Sequence, residues 1–262
     1  MNKILVTGDC HSRFEKFSID NFSRGKELDK NDYVIILGDF GLIWDYQGEN
    51  KNEKYWLDWL NDKPWTTLFI DGNHECFDRL NSYEVSEWNG GKVHFIRTSV
   101  IHLMRGEIFN IGGKKILAMG GAESHDTQHG IIDPADYPTR KDMRKACREL
   151  EEKCGGWQFA MYRIKGESWW PQEIPSAAER ANAMINLEKY NNKVDFILSH
   201  EAPASDLYPL SNGSYKPTEY SKFLEIIHST VDYKGYFFGH YHVDKIINEK
   251  DMCLYENIIR IS

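Results

Sequence analysis

The sequence predicts an α/β fold built in layers. Three observations carry this expectation: short apolar, β-branched runs recur along the chain, each ends in glycine or polar residues, and several of the segments between them can hold helices. The runs are, in order, "KILVTGDCH", "DYVIILGDFG", "TTLFIDGNHE", "KKILAMGGAESHD", "VDFILSHEAP" and "GYFFGHYH". Each is short and apolar enough to be a buried strand. Helices are expected at 51–62 and 176–190, the second opened by Ser176 with Glu179 three residues on, the spacing of a capping box. Residues 122 to about 185 break the rhythm and are read as an insertion or cap on a single domain spanning 1–262. Within it, 142–153 is charged with a helical pattern, and Gly155 and Gly156 stop it. The end, "KIINEKDMCLYENIIRIS", has two β-type runs around a charged turn and reads as a hairpin.

The chain of 262 residues carries 32 Lys and Arg against 40 Asp and Glu, a net charge of −8. Such a surface repels a long nucleic acid. Carboxylates gathered around a metal would add to that count, and a bound cation reverses the local field, so a small anionic substrate stays compatible with it. Cys10, Cys76, Cys147, Cys154 and Cys253 form no CxxC pair and are odd in number, which reads as reduced thiols. The first apolar run is too brief for a signal segment or a membrane span, so a cytoplasmic protein without membrane contact is expected.

In layered α/β sheets, ligands bind beyond the carboxyl ends of strands, where loops converge. Asp9, His11, Asp39, Asn73, His74, His200, His240 and His242 all follow predicted strands, so they can meet in space although they span most of the chain. "GDCH" and "GHYH" each set two donors one residue apart, on the same face of an extended chain. Imidazoles, carboxylates and one amide oxygen together suit Mn, Fe, Zn or Ni better than Ca. The intervals are too long for a zinc finger, so the fold must assemble the set. There is no GxSxG elbow, P-loop, GxGxxG or Cys followed six residues later by Arg.

Taken in order, "GDCH", "GDF", "GNHE", "SH" and "GHYH" resemble the signature of the calcineurin-like metallophosphoesterase family. The resemblance implies a sandwich of two β-sheets flanked by α-helices, with a helical insertion, and a two-metal centre on the strand-end loops. Asp9, His11 and His242 would bind one metal, Asn73, His200 and His240 the other, and Asp39 would bridge them. Two divalent transition-metal ions are implied, Mn first, then Fe, Zn or Ni. They would hold a hydroxide that attacks a phosphomonoester or phosphodiester, while His74 stabilises or protonates the leaving oxygen. The implied partner is a small phosphorylated substrate or nucleotide.

After Asp39 the sequence departs from many relatives, which carry a second Asp three residues on, often followed by Arg. Here Leu42 and Ile43 stand there. Asp45, Glu75 and Asp71 are candidate replacements for the acid, Asp45 first; Arg13, Arg140 and Arg163 are candidates for gripping phosphate. His125, Asp126 and His129 follow another predicted strand and are candidates for substrate contact. Trp169 or Trp170 in "SWWPQEIP" is a candidate for stacking on a planar group. His94, His102 and His228, in apolar or amphipathic surroundings, are read as structural. The altered 39–45 segment leaves a second function class open, a binding scaffold that keeps the fold without turnover. That all seven ligand positions are filled favours the enzyme.

Overall fold

All six apolar runs form strands in the computed structural model, which describes residues 2–262. The first half contains β1 (Ile4–Thr7), β2 (Tyr33–Leu37), α1 (Lys51–Asn61), β3 (Thr66–Ile70), the short α2 (Phe77–Leu80), β4 (Val85–Trp88), β5 (Gly91–Arg97), β6 (Val100–Leu103), β7 (Ile108–Ile111) and β8 (Lys114–Met119). An excursion follows, with β9 (Ile131–Ile132), α3 (Arg140–Lys153) and β10 (Arg163–Ile164). The chain then forms α4 (Ala177–Lys189), β11 (Phe196–Ser199), α5 (Leu207–Ser211), α6 (Glu219–Thr230), β12 (Gly235–Phe238), β13 (Lys245–Ile246), β14 (Asp251–Cys253) and β15 (Ile259–Arg260).

Two large sheets result, in the orders β15-β1-β2-β3-β6-β5-β4 and β13-β14-β12-β11-β8-β7. The inner strands β1, β2, β3 and β6 run parallel in one, and β8, β11, β12 and β14 in the other. Strand alternation divides the apolar residues between layers. In β2, Ile35 and Leu37 face the layer between the sheets, where they join Phe109, Ile116, Leu198 and Phe237 of the second sheet. Val34 and Ile36 face outward, into a cluster with Leu57, Leu60 and Trp65. The outer face of the second sheet is covered by α4 and α6, through Ala183, Leu187, Leu224 and Ile227. The parallel strands are thus buried on both sides, which is why they read as continuous apolar runs.

The helices start where their caps place them. Asn50 caps α1 and Ser176 caps α4, each in a reciprocal capping box with a Glu at the third position, Glu53 and Glu179. Thr139 caps α3, which ends before Gly155 at φ 82°, a value open to glycine at little cost. Two features differ from the sequence expectation. β13 and β14 form the expected hairpin, but the last run leaves it: β15 crosses to the other sheet and pairs antiparallel with β1. Secondly, α4 packs into the sandwich instead of belonging to the insertion. Among the described residues, no helix is long and apolar enough to cross a membrane.

Candidate metal centre

The loops that leave β1, β2, β3, β8, β11 and β12 converge at one end of the sandwich. Their backbones are held in unusual shapes: His11, Asp39, His240 and His242 have φ of 45°, 43°, 71° and 52°. Side chains in this left-handed region cost roughly 1–3 kcal/mol each, and such strain persists only where the surroundings fix it. They are fixed here by Cys10 N and His11 N, which donate to Asp39 O at 3.1 and 2.8 Å. Two glycines permit the close approach. A Cβ on Gly38 would lie 2.1 Å from His200 Nδ1, and one on Gly72 would lie 2.0 Å from Asp39 Oδ1. Both must therefore be glycine for the loops to meet.

Two donor clusters share Asp39. Asp9, His11, Asp39 and His242 each offer an atom within 4.8 Å of the others, as do Asp39, His200 and His240. Asp9 Oδ2 lies 3.1 Å from His242 Nε2 and 3.7 Å from His11 Nε2, and His11 Nε2 lies 3.4 Å from Asp39 Oδ2. Across Asp39, His200 Nε2 is 3.3 Å from both Asp39 Oδ1 and Asn73 Oδ1. His200 is oriented by its other nitrogen, 2.6 Å from Leu37 O. The second Asp9 oxygen accepts from His240 N at 2.9 Å, and Asp39 Oδ1 accepts from His74 N at 2.8 Å.

This donor set fits cations. Asp9 Oδ2 is buried and makes no hydrogen bond although two imidazole nitrogens approach it. A buried carboxylate oxygen left this way is costly unless something positive meets it. Burial would raise the carboxyls of Asp9 and Asp39, but His200 and the other imidazoles outweigh it and hold both well below the usual range. Burial would likewise lower His200, yet Asp39 and Asp9 raise it to about 10. The chain thus concentrates negative charge at a point faced by imidazole nitrogens and one amide oxygen, a mixture suited to transition metals.

His74 borders both clefts beside these clusters. Its ring lies 5.5 Å from that of Trp44 and 4.9 Å from that of His11. Its Nε2 is 3.2 Å from Arg163 NH2, and Arg163 forms a two-point ion pair with Asp126, with Nε to Oδ1 at 2.8 Å. Burial pushes the His74 imidazole below its ordinary value; Asp39 opposes the fall and Arg163 adds to it.

Several sequence expectations need correction. Asp45 makes no hydrogen bond to His74: its carboxylate accepts from Gln47 N at 3.0 Å and Asn50 Nδ2 at 3.2 Å, shaping the turn before α1. Glu75 accepts from Phe40 N at 2.8 Å, and Asp71 pairs with Arg105 and His102, so neither of these acids turns to His74. Leu42 and Ile43 are fully buried in the cluster under α1. In these surroundings an Asp–Arg pair would bury charge among apolar groups, a cost of several kcal/mol per ion, so Leu42 and Ile43 serve packing here. Trp170 is 2% exposed, packs on Trp44 and donates to Asp78 Oδ2 at 2.9 Å, so it anchors the insertion and is closed to a stacking ligand. Arg140 is paired with Glu167 and Tyr46 and lines neither cleft. His129 accepts from Met161 N at 2.9 Å, a bond between the segments before β9 and before β10.

The others lie at or beside the two clusters, Arg163 through its contact with His74 although it lines neither cleft. His125 Nε2 is 2.7 Å from His240 Nε2, and Asp126 lines the cleft with it. Arg13 borders an adjoining cavity of about 690 Å³, together with Asp9, Lys16, Arg24 and Tyr255. Sequence reasoning missed Ser124 and Glu173. Asn73 Nδ2 donates to Ser124 Oγ at 3.1 Å, and Glu173 accepts from Ser124 Oγ at 2.6 Å and from Ser124 N at 3.0 Å. This chain of bonds turns the amide oxygen of Asn73 toward His200, and no local motif at Glu173 signals it.

Residues 2–244 match the family model described as calcineurin-like phosphoesterase. The lariat debranching enzyme of Schizosaccharomyces pombe (strain 972 / ATCC 24843) is 26% identical over 133 residues, 47% of this chain and 26% of that protein. Lariat debranching enzyme A of Xenopus laevis is 26% identical over 148 residues, 52% of this chain and 26% of that protein. The chain thus spans about a quarter of the length of these curated relatives. A solved structure described as a 5'-nucleotidase from Staphylococcus aureus in complex with alpha-ketoglutarate aligns with a TM-score of 0.41 and 13% identity, over 98% of this chain and 50% of that one. With the family model covering nearly the whole chain, the protein belongs to the calcineurin-like phosphoesterase family.

Proposed function

We propose that the protein is a two-metal phosphoesterase acting on a small phosphorylated substrate or nucleotide. The observation that carries this is the position of Asp39 in both donor clusters. Asp9, His11 and His242 would hold one ion, Asn73, His200 and His240 the other, and Asp39 would join them. Divalent transition metals, with Mn first, fit the mixed donors. When bound, they would activate water as nucleophile and neutralise charge on the phosphoryl oxygens.

The chain's own residues supply the remainder. Arg163 donates toward His74 Nε2, which as acceptor keeps the neutral ring proton on Nδ1. On this reading Arg163, fixed by Asp126, presents its guanidinium to a phosphoryl oxygen and takes over from the arginine missing after Asp39. His74, freed of that contact when substrate arrives, would take up a proton from solvent at Nε2, favoured by the negative charge of the substrate, and pass it to the leaving oxygen. His125 borders the same cleft, and Arg13 in the adjoining cavity would meet a distal anionic part of the substrate.

The test is hydrolysis of p-nitrophenyl phosphate and of its bis ester with added Mn²⁺. The wild-type chain should turn over at least one of them. Asp39→Asn and His74→Ala should each be slower, His74→Ala by about 10²–10⁴-fold, the usual contribution of a general acid. Equal rates in all three proteins would overturn the proposal.

A further inference from the structure

We propose that Asp206, His228 and Asp251 form a further cation site, sharing no residue with the candidate metal centre, that takes one divalent transition-metal ion. The three come from separate elements: Asp206 precedes α5, His228 lies in the last turn of α6, and Asp251 opens β14. Each offers one donor atom, and these atoms lie within 4.8 Å of one another.

A second observation points to a ligand. Asp206 is 3% exposed, and its Oδ2 has no hydrogen-bond partner among the described residues. Nearby, the fully buried Tyr236 has its ring 5.7 Å from that of His228, and its hydroxyl is also unpartnered. Orphaned buried polar atoms are rare in folded proteins because each carries its full desolvation penalty.

Charge agrees with a missing cation. Asp251 is 2% exposed, with Oδ2 2.9 Å from His228 Nε2, and Glu225 Oε1 is 3.9 Å from His228 Nδ1. Three carboxylates therefore face one imidazole. Among the described residues, no Lys or Arg forms an ion pair with Asp206 or Asp251; Lys250, the near one, bonds Tyr233 O and covers the Tyr233 ring. The backbone carbonyls at the C-terminal end of α6 add partial negative charge at the same place. Asp251 is held ready by Tyr233, whose hydroxyl donates at 3.1 Å, and by Asn248. One imidazole with carboxylate oxygens suits Zn, Mn or Co better than Ca, which takes oxygen throughout. Such an ion would tie α6 to β14 and to the segment that follows His200.

The full chain, stripped with chelator, reloaded with excess Zn²⁺ and desalted, is analysed for zinc per chain by mass spectrometry. Asp206→Asn and His228→Gln should each retain one zinc fewer than wild type, with a smaller zinc-induced rise in Tm and unchanged aryl phosphate hydrolysis. Because the count is a difference from wild type, it stands whatever number of ions the candidate centre holds. Equal zinc in the variants and wild type would overturn the proposal and leave Asp206 as a protonated, ion-free acid. Wild-type crystals soaked in Zn²⁺ need no variant: an anomalous peak between Asp206 and His228 is expected, and its absence at saturating zinc would overturn it equally.

Discussion

Arg163 donates to His74 Nε2 over 3.2 Å, across 89 residues of sequence. The bond brings the insertion against the residue that follows Asn73 and sets a paired Arg and Asp beside the cleft that the 39–45 segment leaves without either. Because Arg163 holds Asp126 at two points, its guanidinium has a fixed plane, and geometric fixity is what distinguishes a phosphate clamp from a mobile surface charge.

Arg163→Met should therefore raise KM and lower kcat/KM for an aryl phosphate by about 10- to 100-fold, the loss of one hydrogen bond to a charged group. Asp126→Asn should give a smaller loss of the same kind, since the arginine remains but is less fixed. Asp45→Asn should leave steady-state kinetics nearly unchanged because its carboxylate serves a turn. A loss in Asp45→Asn equal to that in Arg163→Met would contradict this division of roles.

Glu173 reaches the candidate centre through Ser124, which it holds by two hydrogen bonds. Without its carboxylate, Ser124 is free to rotate and the Asn73 amide loses the bond that fixes its orientation. Outer partners of this kind are worth about 10- to 100-fold in metal affinity. Mn²⁺ titration of Glu173→Ala by calorimetry should show a weakening of that size, with the circular dichroism spectrum preserved. Unchanged affinity would mean that Asn73 is held by other contacts.

His94 makes stability depend on pH. It is buried against His102, with the two Nδ1 atoms 3.1 Å apart, and burial, reinforced by His102, lowers its pKa to about 4. The unfolded chain takes up the proton near pH 6.5, whereas the folded chain resists it until about pH 4. Since the unfolded state then binds more protons, stability falls as the pH drops between those values. Urea denaturation at a series of pH values should show a steeper decline over this window for wild type than for His94→Gln. Parallel profiles would show that His94 does not contribute.

Much of this was legible in the sequence. The six strands that carry the candidate centre are buried on both faces, so their apolar runs stand out, and the candidate donors come directly after them. β4 to β7 were harder to see: β5 mixes buried and exposed positions without strict alternation, with Val93 and His94 buried in succession, and carries Lys92, His94 and Arg97, so it has little contrast against a loop. The crossing of the last run to β1 depends on pairing between the two chain ends, which local pattern does not encode. Contacts made by the insertion were the least legible. Asp45 is near His74 in sequence but engaged in a turn, whereas Arg163, Asp126 and Glu173 reach the centre only through tertiary folding.

The central claim is that Asp39 joins two metal sites. Crystals grown with saturating Mn²⁺ and measured at the manganese absorption edge test it most directly. Two anomalous peaks are predicted, both against Asp39, one also touching Asp9, His11 and His242 and the other Asn73, His200 and His240. A single peak, or peaks that leave the Asp39 carboxylate free, would contradict it.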